Sequence, residues 1–156
     1  MMHAKNINTN ITFIELYKTT NISLIVTSTC INDKILHYIS HETFPDMPVL
    51  TGLRMSSSVP FWFVPVKYNN KLFIDGGIMN NYPINLFSKC TDRVIGVYLN
   101  EVRESDEIDN LETFLKSIIE CLFEGVSKTL IGNCHAQTIE LYLPKINTGN
   151  QYHFQI

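Results

Sequence analysis

Residues 72–83 combine residue types, in an order, that could support acid–base chemistry. The segment reads LFIDGGIMNNYP, which is a short apolar strand, Asp75, two glycines and a polar turn closed by Pro83. A carboxylate at the end of a buried strand costs free energy unless it is satisfied or used. Gly76 and Gly77 let the backbone turn sharply and approach another group closely. We therefore predict that Asp75 lies at the rim of a sheet, where active sites of open α/β folds collect.

The same three residues are also typical of an ordinary turn. Aspartate and glycine are both turn formers, and the pair Asp-Gly is a common hairpin signal. On this interpretation Asp75 only caps the turn after its strand and has no catalytic role. Both interpretations remain open on these residues alone.

Composition indicates an ordered globular protein. The chain has 156 residues, of which 45% are hydrophobic and 17% charged, so we expect a single domain over residues 1–156. The net charge is −3 and no basic stripe is present, which argues against a nucleic-acid partner. The cysteines lack metal-binding spacing and disulfide-scaffold density, so reduced thiols are expected at Cys30, Cys90, Cys121 and Cys134.

Targeting signals are not evident in the sequence. The polar start, MMHAKNINTN, lacks the apolar core of a signal peptide. No apolar run approaches the ~20 residues that a membrane-spanning helix needs. We expect the chain to be cytoplasmic or peripheral to a membrane.

Strand and helix patterns alternate along the chain, which predicts an α/β fold whose sheet has parallel members. Thr12 and Glu15 form a capping-box pattern that begins a short helix, and Asn21 ends it. Further helices are expected to begin near Asp46, at Pro83 and after Asn110. Strands are expected at residues 22–30, 34–40, 93–99 and 138–143, with a hairpin over 61–75 whose tip is Asn69-Asn70.

Two of these helices carry more detailed predictions. In the first, Asp46 is the expected N-cap, Pro48 lies in the first turn and Pro60 ends the helix. Its apolar face is predicted to contain Val49, Leu50, Leu53 and Ser57. The helix after Asn110 has the strongest periodicity in the chain, with an apolar face of Leu111, Phe114, Leu115, Ile118, Ile119, Leu122, Phe123 and Val126.

Laid out in this order, the chain resembles the patatin-like phospholipase family. The resemblance runs through TFIELY, SLIVTST, PDMPVLTGLRMSSSVP, FWFVPV and LFIDGGIMNNYPINLF, over roughly residues 12–99. The Asp-Gly-Gly signature and the Ser-Ser-x-x-Pro stretch before it are its specific parts. Agreement between several local signals and one global fold supports the assignment.

The resemblance implies a lipid acyl hydrolase with a serine–aspartate dyad. A serine attacks the ester carbonyl, and the aspartate at the position of Asp75, with its motif glycines Gly76 and Gly77, accepts the serine's proton. The implied substrate is a phospholipid or another acyl ester at a membrane surface. We expect neither a cofactor nor a metal.

Two pieces of the family pattern are missing upstream of Asp75. The family carries a glycine-rich oxyanion loop and a G-x-S-x-G nucleophile elbow, whereas the first glycine of this sequence is Gly52. We therefore expect a partial three-layer α/β/α sheet lacking its first strands, inactive alone, whose missing N-terminal half comes from a longer product or another chain. The alternative is a non-catalytic lipid-binding or structural remnant.

Several other residues could be mistaken for a site. Ser127, in GVSKT, resembles half an elbow but lies near the end of a predicted helix and after the aspartate. The serines at 56–58 are expected to bond nearby carbonyls at a helix end. His37 and His41 lack a supporting carboxylate or thiol in sequence spacing, and His135 and His153 have no evident partner. Trp62 and the adjacent phenylalanines are expected in the core, with a lipid-facing rim as the alternative.

Overall fold

The computed structural model describes residues 10–87, 94–101, 108–131 and 137–143, and these residues form an α/β fold. The helices are α1 (Phe13–Thr20), α2 (Val49–Ser56), α3 (Gly77–Asn80) and α4 (Leu111–Ile131), with a 3-10 helix at Pro83–Phe87. The strands are β1 (Val26–Cys30), β2 (Ile35–Ile39), β3 (Val66–Tyr68), β4 (Lys71–Asp75), β5 (Ile95–Glu101) and β6 (Gln137–Leu143). The predicted order of helices and strands is confirmed.

Local capping explains where α1 and α4 begin. The Thr12 hydroxyl accepts the Glu15 N–H at 3.3 Å, and the Glu15 carboxylate accepts the Thr12 N–H at 2.9 Å. This reciprocal pair is the predicted capping box, and Asn21 ends the helix at φ 56°. At α4 the Asn110 side chain accepts the Thr113 N–H at 2.9 Å, so the predicted cap is confirmed.

The main sheet has four antiparallel strands in the order β2-β1-β4-β3. Asn69 and Asn70 connect β3 to β4 with φ values of 46° and 62°, the left-handed pair that a tight two-residue hairpin requires. The predicted hairpin tip is therefore confirmed. The expected parallel pairing is found between β5 and β6, which form a separate two-stranded sheet among the described residues.

Helices lie on both faces of the four-stranded sheet. One face packs against α1 and α2 around a core of Phe13, Cys30, Ile39, Met47, Val49, Met55, Val66 and Phe73. On the opposite face, Thr27 abuts Gly76 at the start of α3, and Tyr38 receives a hydrogen bond from Asn80 at its end. Because side chains alternate across a strand, α2 and α3 lie on opposite sides of β1 and β2.

The predicted contact face of α2 is wrong in detail. Its N-cap is Pro48, without a side-chain cap, and not Asp46. The buried residues are Val49, Gly52 and Met55, whereas Leu50 and Leu53 are exposed. A Cβ at Gly52 would lie 2.7 Å from the Phe13 ring, so the helix packs through its smallest residue. Hydrophobic periodicity gives no weight to glycine and therefore placed the face incorrectly.

The aromatic segment at residues 61–64 lies outside the core, contrary to our prediction. Phe61 is 72% exposed, Val64 is 76% exposed, and Trp62 and Phe63 are also exposed. Phe61 has φ 72°, a left-handed conformation that is uncommon for a bulky residue. The strand that follows begins only at Val66, so β3 is shorter than predicted.

The two-stranded sheet has one apolar face that no described element covers. Its outward aliphatic side chains are all exposed: Ile95, Val97, Leu99, Ile139 and Leu141. On the other face Gly96 lies against Tyr82, whose hydroxyl is 2.9 Å from the Thr138 hydroxyl. Thus β5 has the predicted position, but only one of its faces is buried.

We predict that the isolated chain self-associates through this apolar sheet face, because contiguous exposed apolar patches drive association. Replacing Val97 and Ile139, which are register partners, by lysine should shift the chain towards monomer in analytical ultracentrifugation. Glu42→Lys is the matched control, because it also changes the net charge by two units at an exposed site. A clean, reversibly melting monomer of the unmodified chain would contradict this prediction.

Candidate active site around Asp75

Asp75 is the last residue of β4, and the backbone on both sides of it is held in place. Its N–H donates to the Ser58 carbonyl at 2.9 Å, which ties the strand end to the residues that follow α2. On the neighbouring strand its register partner is Ser28, which is fully buried and donates its hydroxyl to the Ile74 carbonyl at 2.8 Å. Asp75 therefore lies at the rim of the four-stranded sheet on a rigid support.

Gly76 and Gly77 are needed for space and not for an unusual backbone conformation. Neither has a positive φ, and the chain turns directly into α3. A Cβ at Gly76 would collide with the backbone and side chain of Thr27. A Cβ at Gly77 would lie 2.5 Å from the Phe123 ring and 2.9 Å from the Asp75 carboxylate. The predicted close approach is confirmed.

The two oxygens of the Asp75 carboxylate differ in their environment. Oδ1 accepts the Gly77 N–H at 2.6 Å, and no other described residue hydrogen-bonds to the carboxylate. Burial raises the pKa of Asp75, and the Gly77 hydrogen bond opposes that rise. A carboxyl group whose charged form is disfavoured by burial holds a proton more tightly and is a stronger base. The second oxygen is available to accept a proton.

Asn80 is a supporting residue that sequence reasoning missed. It is 3% exposed, and its amide donates to the Tyr38 hydroxyl and to Asn85 Oδ1, both at 3.0 Å. Its oxygen accepts the Tyr82 N–H at 3.2 Å. These bonds fix the turn after Asp75 against β2. The consecutive asparagines before Tyr82 were the available signal, because buried amides normally complete hydrogen-bond networks.

The serines near Asp75 have other partners. Ser57 and Ser58 donate to helix carbonyls of α2, the Ser58 bond to Arg54 being 2.6 Å long, as expected. Ser127 lies within α4 and therefore has no strand-turn-helix setting. Among the described residues, no serine hydroxyl bonds to the Asp75 carboxylate.

An apolar cavity of about 230 Å³ flanks the Asp75 turn, lined by Val59, Trp62, Phe63, Ile119, Glu120 and Phe123. Val59 follows Ser58, whose carbonyl binds the Asp75 N–H, and Phe123 packs against Gly77. The cavity is therefore adjacent to both sides of the motif. Its chemistry suits an alkyl chain better than a polar ligand.

The two histidines considered for a metal have separate surroundings. His41 stacks on Tyr17 with ring centroids 3.8 Å apart, and its Nδ1 is 3.2 Å from the Ser23 hydroxyl. His37 instead lies near Cys30 and Asp33. The prediction that His37 lacks a supporting thiol or carboxylate is therefore wrong, because the turn between β1 and β2 folds both towards it. His135, His153, Cys90 and Cys134 lie outside the described residues.

Comparison with known proteins gives consistent matches over the first part of the chain. The profile of the patatin-like phospholipase family matches residues 1–88. A probable lipid hydrolase, 463L, of Invertebrate iridescent virus 6 is 41% identical over 88 residues, which are 56% of this chain and 30% of the relative. The uncharacterized proteins R571 of Acanthamoeba polyphaga mimivirus and YqhO of Bacillus subtilis (strain 168) are 36% and 35% identical over 63% and 64% of this chain, and over 32% and 37% of their own lengths.

The chain thus belongs to the patatin-like phospholipase family. It spans about a third of the length of these curated relatives. Within the described part of the chain, none of the helices combines the length and apolarity needed to cross a bilayer.

We expect Gly76→Ala to destabilise the fold by roughly 1–3 kcal/mol, because the added methyl overpacks against Thr27. Gly125→Ala is the matched control: its Cβ would meet no atom within 4 Å, and alanine should stabilise α4 by about 0.5–1 kcal/mol. Urea denaturation of both variants measures the difference. Equal effects in the two variants would show that the close approach at Gly76 is unimportant.

We expect Asp75→Asn to raise the free energy of unfolding near neutral pH. Burial raises the pKa of Asp75 in the folded state, so stability is lost as pH rises through the ordinary aspartate range towards that raised value. Below about pH 3 both states hold the proton and the gain should vanish. Denaturation midpoints at low and neutral pH, with the exposed Asp46→Asn as control, measure this dependence. A gain that persists at low pH would refute the electrostatic cause.

Proposed function

We propose that this chain is part of a patatin-like lipid acyl hydrolase and supplies the aspartate of its serine–aspartate dyad. The observation that carries the proposal is the state of Asp75. Its carboxylate is held at a sheet rim by one hydrogen bond to Oδ1, its charged form is disfavoured by burial, and an apolar cavity lies beside it. These are the requirements of a general base that acts on an ester with an alkyl chain.

In the proposed reaction a serine hydroxyl attacks the ester carbonyl while Asp75 accepts its proton. The proton then passes to the leaving alcohol, and an acyl-serine remains. Water attacks this acyl group in the second half of the reaction, with Asp75 again accepting the proton, and releases the fatty acid. Backbone N–H groups must stabilise the negative oxygen formed in both steps.

We infer that the serine and the oxyanion loop are contributed by residues outside this sequence. A glycine-rich loop and a G-x-S-x-G elbow precede the aspartate in the family pattern, and this sequence has no glycine before Gly52. The described serines nearest Asp75 are committed to backbone carbonyls. Residues 1–156 are accordingly proposed to be one partial domain, completed by a longer product or by another chain.

The proposed substrate is a phospholipid or a related acyl ester presented at a membrane surface. The cavity beside Gly77 is lined largely by apolar and aromatic side chains, which suits an acyl chain. The exposed aromatic segment at residues 61–64 contributes Trp62 and Phe63 to the cavity wall. A relative is described as a probable lipid hydrolase, which agrees with this substrate class.

The alternative, a non-catalytic lipid-binding or structural remnant, also has a specific observation in its favour. The Gly77 N–H bond at 2.6 Å shows that Asp75 caps the turn into α3. A cap needs only an acceptor oxygen, which asparagine also provides, whereas a base needs a carboxylate. The two functions can therefore be separated by one substitution.

We expect the 156-residue polypeptide alone to show no ester hydrolysis. The measurement is turnover of a short-chain nitrophenyl ester, compared with the Asp75→Asn variant under the same conditions. Activity of the unmodified chain above that of the variant would show that these residues contain a complete site.

In a product extended upstream to include an in-frame loop and elbow, Asp75→Asn should lower kcat by about 10²- to 10⁴-fold, the usual contribution of a general base. The variant should keep its fold, because asparagine retains the cap. Asp46→Asn, at an exposed position, should keep full activity. An extended product that is inactive before any substitution would favour the remnant.

A further inference from the structure

A second group of chemically reactive side chains lies in the turn between β1 and β2, away from Asp75. Cys30 Sγ, an Asp33 carboxylate oxygen and a His37 ring nitrogen all lie within 4.8 Å of one another. Cys30 is fully buried, His37 partly buried and Asp33 exposed, so the group runs from the core to the surface. Nothing in the proposed hydrolysis uses these three residues.

The spacing of the three groups is close to that of zinc ligands. In a tetrahedral zinc site with Zn–S of about 2.3 Å and Zn–O of about 2.1 Å, the sulfur and oxygen ligands are about 3.6 Å apart. Cys30 Sγ and Asp33 Oδ2 are 3.5 Å apart. The His37 nitrogen lies within 4.8 Å of both, which requires only a small movement of an imidazole ring.

The backbone holds the turn in this shape. The Lys34 N–H donates to the Cys30 carbonyl at 2.9 Å, and Lys34 has φ 58°. The Ile31 N–H binds the Leu72 carbonyl at 2.9 Å, and the Leu72 N–H binds Asn32 Oδ1 at 2.7 Å. The turn is therefore clamped to β4, and metal binding would cost little backbone ordering.

The His37 imidazole is poorly satisfied by the described residues. Its Nε2 is buried without a hydrogen-bond partner. The ring makes edge contacts with Phe44 and Phe73, with centroid distances of 5.8 and 5.6 Å, and neither aromatic ring can accept or donate a conventional hydrogen bond. A buried polar nitrogen without a partner calls for an explanation, and an unmodelled ion is one of the standard ones.

Lys71 competes with a metal for Asp33. Its ammonium lies 2.6 Å from Asp33 Oδ2, and both side chains are partly exposed. An exposed ion pair of this kind is weak, and a long lysine side chain can turn into solvent. Because the competitor is a single identifiable side chain, its removal makes a sharp test.

We propose that Cys30, Asp33 and His37 form a Zn²⁺-binding site, with the fourth position open to solvent. The combination of thiolate, imidazole and carboxylate selects zinc over magnesium or calcium, which prefer oxygen ligands alone. The site does not depend on the proposed hydrolase function. Zinc there would join the β1–β2 turn and cover the unsatisfied imidazole.

The test uses the full chain fused to a cysteine-free solubility carrier, with Cys90, Cys121 and Cys134 changed to serine. Cys30 is then the only thiol. Co²⁺ is titrated as a spectroscopic probe, and Zn²⁺ affinity is measured by its displacement of Co²⁺. The carrier alone is the blank. We expect one Co²⁺ per chain and a thiolate-to-cobalt charge-transfer band.

Three variants separate a metal site from a structural cluster. Cys30→Ser should abolish the charge-transfer band, and Asp33→Asn, at an exposed position, should weaken binding at least about tenfold through loss of a ligand. Lys71→Met should tighten binding by about two- to fivefold, as expected when an ordinary exposed ion pair no longer competes. Lys67→Met, on the neighbouring strand, should leave affinity unchanged.

Absence of the band when Cys30 is the sole thiol would overturn the proposal. So would weaker binding in Lys71→Met, because the three residues would then form only a turn-stabilising cluster with the lysine. Should Cys30→Ser fail to fold, as a buried core position could, the exposed Asp33 and Lys71 variants still decide the question.

Discussion

The close approach of the Gly76 backbone to Thr27 is the constraint on which the surroundings of Asp75 depend. It allows β4 to end directly against β1 and α3 to begin at once on the far face of the sheet. With the strand end fixed, the Asp75 N–H reaches Ser58 and the Asp75 carboxylate reaches Gly77. Phe123 of α4 can then pack on Gly77 and complete the apolar cavity. A side chain at either glycine would separate these elements.

Burial gives Asp75 opposite effects on stability and on chemistry. Removing the carboxylate from water disfavours its charge, which weakens the fold at neutral pH but makes the group a better proton acceptor. One backbone hydrogen bond offsets part of that penalty without neutralising the charge. Functional sites commonly carry such locally unfavourable groups, supported by rigid structure around them.

Short-range signals in the sequence predicted much of this structure. The capping box of Thr12 and Glu15, the Asn69-Asn70 hairpin and the Asn110 cap are each determined by residues within a few positions of one another. The position of Asp75 at a strand end followed from the same kind of pattern. These interactions need no knowledge of distant parts of the chain, so local rules suffice for them.

The failures concern contacts between residues far apart in sequence. The face of α2 was misplaced because Gly52, not a large apolar residue, meets Phe13. The aromatic segment at residues 61–64 was assigned to the core on hydrophobicity alone, although it is exposed. The role of Asn80 depends on Tyr38, which lies on a different strand. None of these pairings leaves a periodic signal in the sequence.

The left-handed backbone of Phe61 has a consequence for how this segment can be altered. A bulky residue in that conformation carries about 1–3 kcal/mol of strain, which glycine would relieve. Glycine would, however, remove an outward-facing ring from the chain reversal between α2 and β3 and loosen the path of the backbone there. At position 61 the ring and a relaxed main chain are therefore mutually exclusive, and an engineered variant must sacrifice one to gain the other.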